Sequence, residues 1–285
     1  MTPAFPDART LLARHGLAAK KSWGQNFLVS ERVYRAIVDA TIRSSHDWVV
    51  EVGSGLGTLT MRLAERVSDG QVVAVEREPD MLTVLKAELG HLDNVVIHPA
   101  NAMTYDYNSV AKWHGDKIAV CGNLPYQIAS QILFKLLESR ANITRIVTMI
   151  QKEMADRMVA PPGIKAYGAL TVLMGAYADI TTVVQARPED FSPPPRVNST
   201  VIKLVIRDEP RAPIADEKAF SDVVHAAFAL RRKTLRNALQ SRYSKERVLA
   251  ALDHVGIDGG RRGETLSIEE FAALTDSIVA AGLHA

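Results

Sequence analysis

The feature that most constrains this chain is an alternation. From Asp47 to Ile150, short β-rich runs take turns with helical stretches. Trp48–Glu51 leads into Gly53-Ser54-Gly55-Leu56-Gly57 and a helical stretch over Thr58–Val67. Val72–Glu76 precedes a helix over Pro79–Leu89, and Val95–Ile97 follows. Ile118–Cys121 precedes a helix over Ile128–Glu138, and Ile146–Ile150 reads as a further strand. Strands separated by helices of this length build βαβ units, and so a parallel sheet covered on both faces. Leu170–Val184 and Thr200–Ile206 read as later strands, although helix also fits the first. Past Arg207 the strand signal stops, and helical patterns fill Asp216–Leu239, Lys245–Val255 and Ile268–Ala281. The expected architecture is α/β: a Rossmann-like sheet domain over residues 1–207 and a small all-helical domain over 208–285.

Composition enters as a set of exclusions. With 285 residues and 47% hydrophobic content, the chain can bury a core without staples. The single cysteine, Cys121, forbids an intramolecular disulfide and fits a reducing, cytoplasmic setting. Eight histidines show no metal-ligand spacing, so no metal site is expected. No apolar run approaches the roughly 18 residues of a membrane span. Arg9, Arg14 and His15 break up the leucines of the first 21 residues, which lack the apolar stretch of a signal peptide. A formal net charge of +2 says little. Its distribution says more: Arg231, Arg232, Lys233, Arg236, Arg242, Lys245 and Arg247 face a single Glu246, and Lys20-Lys21 forms a second basic cluster. Such patches serve phosphate-rich partners, or are simply a solvated helix face.

The chemistry gathers at the strand ends. Glu51-Val-Gly53-Ser-Gly55-Leu-Gly57 lies where the first strand of the alternation turns into a helix, where glycines let a cofactor approach the backbone. A dinucleotide fingerprint would put its third glycine at position 58, but Thr58 stands there. The spacing E-x-G-x-G-x-G is instead the form used by S-adenosylmethionine-dependent methyltransferases. Glu76, at the end of the next strand, is placed to accept hydrogen bonds from both ribose hydroxyls. Asn101 follows the third strand and is placed to meet the cofactor adenine. Asn123-Leu124-Pro125-Tyr126 follows the fourth strand. An exocyclic amine is a poor nucleophile because its lone pair is delocalised into the ring. A side-chain amide oxygen and a main-chain carbonyl, both accepting from that amine, restore its pyramidal geometry. An aromatic ring stacks the extruded base. The tetrapeptide supplies all three: Asn123 as acceptor, the rigid Leu-Pro carbonyls, and Tyr126 as platform. Cys121 reads as a buried strand residue.

With these motifs in order, the chain resembles the small-subunit ribosomal RNA adenine N6,N6-dimethyltransferases over nearly its whole length. Lys21-Ser-Trp-Gly24-Gln25-Asn26-Phe27-Leu28 is similar to that family's amino-terminal cofactor segment. Gln151-Lys-Glu153, Lys165-Ala-Tyr-Gly168, Phe191-Ser-Pro-Pro-Pro-Arg196-Val197 and Arg231-Arg-Lys-Thr-Leu-Arg-Asn237 fall in family order. The resemblance implies that Asn26, Leu28, Gly53, Gly55, Glu76, Asn101 and Asn123 line an S-adenosylmethionine site. Phe191 would be the second wall of the base pocket, opposite Tyr126. The substrate would be two adjacent adenines of a small-subunit rRNA hairpin, the partner an assembling 30S subunit, and the enzyme a monomer. Two departures bear on cofactor affinity: Asn101 stands where the family has Asp, and Ser54 where it has Pro.

Three rivals are weighed. A macrolide-resistance-type methylase of large-subunit rRNA shares the glycine loop and the Asn-Leu-Pro-Tyr type of motif. The match beyond Pro193 favours the small-subunit enzyme. A ribosome-assembly binding factor with incidental catalysis would have no need of an intact Asn123 and Tyr126. A nicotinamide oxidoreductase is disfavoured by Thr58. On a continuous helix, Arg232, Lys233 and Arg236 would share one arc and carry the RNA contact, with Phe228, Leu235 and Leu239 docking on the module.

Overall fold

A computed structural model of the chain describes residues 5–20, 25–230 and 232–283. Lys21, Trp23, Gly24 and Arg231, which the sequence singles out, lie outside the described residues. The elements run α1 (Ala8–Arg14), β1 (Phe27–Leu28), α2 (Glu31–Thr41), β2 (Trp48–Val52), α3 (Thr58–Arg66), β3 (Gln71–Glu76), α4 (Pro79–Leu89), β4 (Val95–Pro99), α5 (Tyr107–His114), β5 (Ile118–Asn123), α6 (Ala129–Glu138) and β6 (Ile143–Gln151). They continue with α7 (Lys152–Met158), α8 (Ala169–Tyr177), β7 (Ala178–Ala186), β8 (Phe191–Ser192), β9 (Ser199–Ile206), α9 (Glu217–Ala229), α10 (Leu235–Leu239), α11 (Lys245–His254) and α12 (Ile268–Leu283).

Seven strands form the main sheet in the order β4-β3-β2-β5-β6-β9-β7. The first five are parallel, and β9 runs antiparallel to β6. Valines fill β2 and β3, whose central residues are buried on both faces of the pleat, as a sheet sandwiched by helices requires. Each Val or Leu buried in such a layer contributes about 1.5–3 kcal/mol relative to exposure. The strand order reverses between β2 and β5. In an open α/β sheet this opens a crevice beyond the strands' carboxyl ends, which is where ligands bind. A separate two-stranded ladder pairs Phe27 with Ser192 and Leu28 with Phe191.

Helix α1 starts at Asp7, whose side chain accepts from the Thr10 N–H. Its Ala8 and Leu11 pack with Leu56, Met81 and Val84, so the amino-terminal helix rests on the glycine loop and on α4.

The chain divides into two compact units. One runs to Ala155 and takes Ile180–Ile206; the other holds Asp156–Asp179 and everything from Arg207 onward. The sequence predicts one crossing near residue 207, whereas the structure has three. Residues 156–179 join the second unit because α8 packs against α9 and α12. Main-chain bonds from Arg207 N to the Tyr177 carbonyl (2.9 Å) and from Arg211 N to the Ala176 carbonyl (2.8 Å) complete the join. Two element assignments also change. Leu170–Val184 is not one strand: its first half is α8, buried nearly all round, and β7 begins only at Ala178. A uniformly apolar run carries no period to tell strand from helix, and the unbroken β-branched run starts only at Ile180.

Asp216–Leu239 is not one helix either. Helix α9 stops at Ala229, and Thr234 caps α10 by accepting from the Asn237 N–H at 3.4 Å. The next N–H groups, of Leu235 and Arg236, donate to the Arg261 and Gly259 carbonyls. A threonine that can cap outcompetes the same threonine inside a helix. Arg232 and Lys233 therefore sit in the turn before α10 and only Arg236 is helical, so the shared helical arc does not exist. All three are nonetheless exposed.

Candidate active site

A cavity of about 520 Å³ opens at the switch point between β2 and β5. Asn26, Leu28, Gly53, Gly55, Glu76, Asn101, Asn123 and Tyr126 all line it. The structure thus gathers into one wall residues that are a hundred positions apart in sequence. Phe191 is outside that lining. It is 2% exposed and packs in the core with Leu28, Val33 and Val201, held there by its pairing with Leu28. Its backbone pairs with Leu28 of β1, next to the cavity residues Phe27 and Leu28.

The loop from Gly53 to Gly57 takes three left-handed residues, with φ of +72° at Gly53, +55° at Gly55 and +79° at Gly57. A Cβ on Gly53 would meet only the Asn123 carbonyl, at 4.0 Å, so the loop leaves room for a ligand against its backbone. Gly57 serves packing instead: a Cβ there would sit 2.6 Å from Leu89 Cδ1. Glu76 is locked in place by main-chain donors. Its Oε2 accepts from Gly55 N (2.9 Å), and its Oε1 accepts from Arg77 N (2.7 Å) and Glu78 N (2.9 Å). Asn101 turns its Oδ1 onto Met103 N at 3.0 Å, which aims its amide NH₂ elsewhere.

Asn123 ends β5 and donates from Nδ2 to the Asn26 carbonyl at 3.3 Å. That bond fixes the amide so that Oδ1 is its acceptor edge. Pro125's carbonyl accepts from Ile128 N at 3.1 Å. The Leu124 carbonyl, between Asn123 and Pro125, is the other main-chain acceptor of the motif. The Tyr126 hydroxyl shares a 2.6 Å hydrogen bond with Ser199 Oγ, and burial pushes the phenol's pKa up. The ring is held at both ends and half-buried.

Two participants were not assigned from sequence. Ser199, the first residue of β9, anchors Tyr126. Only its position just past the proline-rich segment could have pointed to it. Glu51, 2% exposed on the cavity wall, accepts from Thr60 Oγ1, and burial pushes its carboxyl up to about 8. The glycine motif includes Glu51, but nothing in the motif reveals its burial. Cys121 is buried as expected, and burial raises its thiol pKa well above the ordinary range, so it is no nucleophile.

Against this geometry the comparisons with known proteins are direct. A ribosomal RNA small subunit methyltransferase A from Myxococcus xanthus (strain DK1622) is 47% identical over 269 residues, covering 93% of each chain. The solved 23S rRNA methyltransferase ErmE superposes with a TM-score of 0.67 at 26% identity, covering 89% of this chain and 100% of that one. A dimethyladenosine transferase from Plasmodium falciparum shares the fold with a TM-score of 0.75 at 24% identity, covering 90% and 98%. The family model described as ribosomal RNA adenine dimethylase matches residues 16–279. With a match of that extent over this fold, the chain belongs to the ribosomal RNA adenine dimethylase family.

Proposed function

We propose that the chain transfers methyl groups from S-adenosylmethionine to N6 of two adjacent adenines in a small-subunit rRNA hairpin, giving N6,N6-dimethyladenosines during ribosome assembly in the cytoplasm. One observation carries the reading: Asn123 and Tyr126 line the same cavity as the glycine loop and Glu76. A cofactor site and an amine-orienting motif thereby share one space.

The residues present fit the cofactor. The Gly53 cradle has space for it, and Glu76 presents a fixed carboxylate at the end of β3 for the ribose. When bound, the cofactor supplies a methyl group on a sulfonium. Asn101, lacking a carboxylate's charge, would meet the adenine with a weaker hydrogen bond. Asn26, just before β1, and Leu28, within it, would close the cavity on that side. Asn123 Oδ1 and the Leu124 carbonyl accept from the target amine and direct its lone pair. Tyr126 stacks the extruded base. Positioning and exclusion of water carry most of the rate, and the amine proton can leave after attack. Exposed Arg232, Lys233 and Arg236 would hold RNA phosphates, and the enzyme would act as a monomer on the assembling 30S subunit. Among the described residues no helix is long and apolar enough to cross a membrane.

The large-subunit alternative has one supporting observation, the likeness to ErmE. Higher identity to the small-subunit methyltransferases, over most of both chains, outweighs it. Undermethylated small and large subunits are incubated with enzyme and S-adenosylmethionine, and their nucleosides read by mass spectrometry. The expected product is N6,N6-dimethyladenosine in the small-subunit RNA, abolished by Asn123→Ala and crippled by Tyr126→Ala. Label in the large-subunit RNA alone would overturn the assignment.

A further inference from the structure

Asn101 lies in the loop that follows β4 and lines the cavity at the switch point together with Ala100 and Ala102. Its two amide atoms have different fates. The main-chain N–H of Met103 meets the side chain at 3.0 Å, and an N–H can only donate, so the atom it meets is the oxygen Oδ1. This is the local turn by which an Asn or Asp side chain fastens the backbone two residues on. Further bonds hold the loop. The Asn101 carbonyl accepts from Thr104 N at 3.0 Å and from Thr104 Oγ1 at 3.3 Å. The Tyr107 hydroxyl donates to the Ala102 carbonyl at 3.0 Å. The chain itself therefore orients the amide, before any ligand arrives.

What remains is the amide nitrogen. Asn101 is half-buried, and among the described residues its Nδ2 has no hydrogen-bond partner. The buried unpaired side-chain atoms of those residues are the hydroxyls of Tyr167 and Thr200, so Nδ2 is open to a ligand. An Asp in the same turn would also give one oxygen to Met103 N, and its second oxygen would stand where Nδ2 stands. The amide offers a donor there, the carboxylate an acceptor. Asn in place of Asp thus reverses the polarity of this group, besides removing its charge. The edge of adenine that carries the 6-amino group reads acceptor, donor, acceptor: N1, the amine, N7. Two donors brought face to face leave both unpaired, so the complement of Nδ2 is a ring nitrogen and not the amine.

We propose that Asn101 recognises the cofactor's adenine by donating from Nδ2 to a ring nitrogen beside the amine, N1 or N7, and takes no part in selecting the 6-amino group. That the ligand is S-adenosylmethionine rests on the methyltransferase reading; the polarity of the amide does not. Binding is measured by calorimetry on the full-length protein with S-adenosylhomocysteine and with analogues lacking the 6-amino group, N1 or N7, the last two as deaza bases. Asn101→Ser and Asn101→Asp are the variants, because both keep an oxygen for Met103 N and so keep the turn. In the wild type one deaza analogue should bind roughly threefold to tenfold more weakly than S-adenosylhomocysteine, as for one neutral hydrogen bond. Asn101→Ser should erase that difference, and the identity of the analogue tells N1 from N7. Removing the amine should cost the wild type and Asn101→Ser the same factor, since groups that do not meet are additive. Asn101→Asp should lose the deaza penalty and gain a penalty for the missing amine of roughly tenfold or more, as for a bond to a charged acceptor. If Asn101→Ser instead erased a penalty for the missing amine, the oxygen would be the reading atom and the assignment would be overturned. Equal deaza penalties in all three proteins, or none in the wild type, would overturn it as well. Neither result touches the methyltransferase reading, which would fall, and this assignment with it, if the wild type did not bind S-adenosylhomocysteine at all.

Discussion

Glu76 holds three main-chain N–H groups with two oxygens, and that arrangement decides how a substitution there will read out. A carboxylate fixed by the loop it serves loses little entropy when a ribose arrives. Glu76→Ala should weaken S-adenosylmethionine binding by about 1.5–3 kcal/mol, the usual loss for hydrogen bonds to a charged acceptor. Calorimetry on a folded variant checks it, and unchanged affinity would take Glu76 out of the site. Glu51 makes a different prediction. Burial lifts its carboxyl from 4.5 to about 8, so between those values the folded chain keeps a proton that the unfolded chain has lost. Stability then falls as pH rises through that window and levels off above it. Glu51→Gln removes the titration. The melting temperature of the wild type should drop relative to the variant from about pH 4.5 to about 8. Parallel curves would show that another group is responsible. At this scale much of the cavity lining was legible, because Glu76 and Asn123 sit at motif positions whose chemistry is visible in one dimension and Asn26 is implied by the family resemblance. Ser199 was not legible, since its role is a contact with Tyr126 across 73 positions of sequence. The burial of Phe191 was not legible either, because its two-residue pairing with β1 is too short to leave a pattern.

Elements are where periodic reasoning works, and where it stops. Strands β2 and β3 and helix α4 were readable because valine runs and a proline at the first helical turn leave few alternatives. The segment from Leu170 was ambiguous for a physical reason: it is buried on nearly all sides, and burial on all sides erases the period. The break between α9 and α10 depends on carbonyls of Gly259 and Arg261 that reach the α10 N-terminus from a distant loop, which no local window contains. The junction of the glycine loop and α3 offers a test of packing at this scale. Gly57 combines a φ of +79° with a Cβ position 2.6 Å from Leu89 Cδ1 and 3.0 Å from Leu85 Cδ2. Gly57→Ala should cost about 1–3 kcal/mol for the backbone conformation alone. Leu89→Ala in the same chain should relieve the clash without restoring the φ, so the double mutant should lose less than the sum of the two singles. Strict additivity in urea melts would mean that the two side chains do not meet.

For the molecule as a whole, the division into two units separates two kinds of binding. The cofactor cavity is lined entirely by the first unit, while Arg232, Lys233 and Arg236 belong to the second. All three side chains are exposed, and Arg236 reaches its position through the capped start of α10, not through a continuous helix from α9. A turn followed by a helix start can present cations to a phosphate strand as well as one helical face can, because counterion release depends on the number of phosphates neutralised and not on the element that carries the charge. Each contact contributes about 0.7–0.9 to the slope of log affinity against log salt. Reversing Arg232, Lys233 and Arg236 to Glu should flatten that slope for a small-subunit rRNA hairpin by about 2 units and weaken binding most at low salt. Glutamate is tolerated near a helix N-terminus, so the substitution at Arg236 should leave α10 intact. Cofactor affinity measured on the same preparation should not move. A slope that stays put would make the three residues solvated decoration, and a loss of cofactor affinity alongside would mean that they support the fold instead of the RNA.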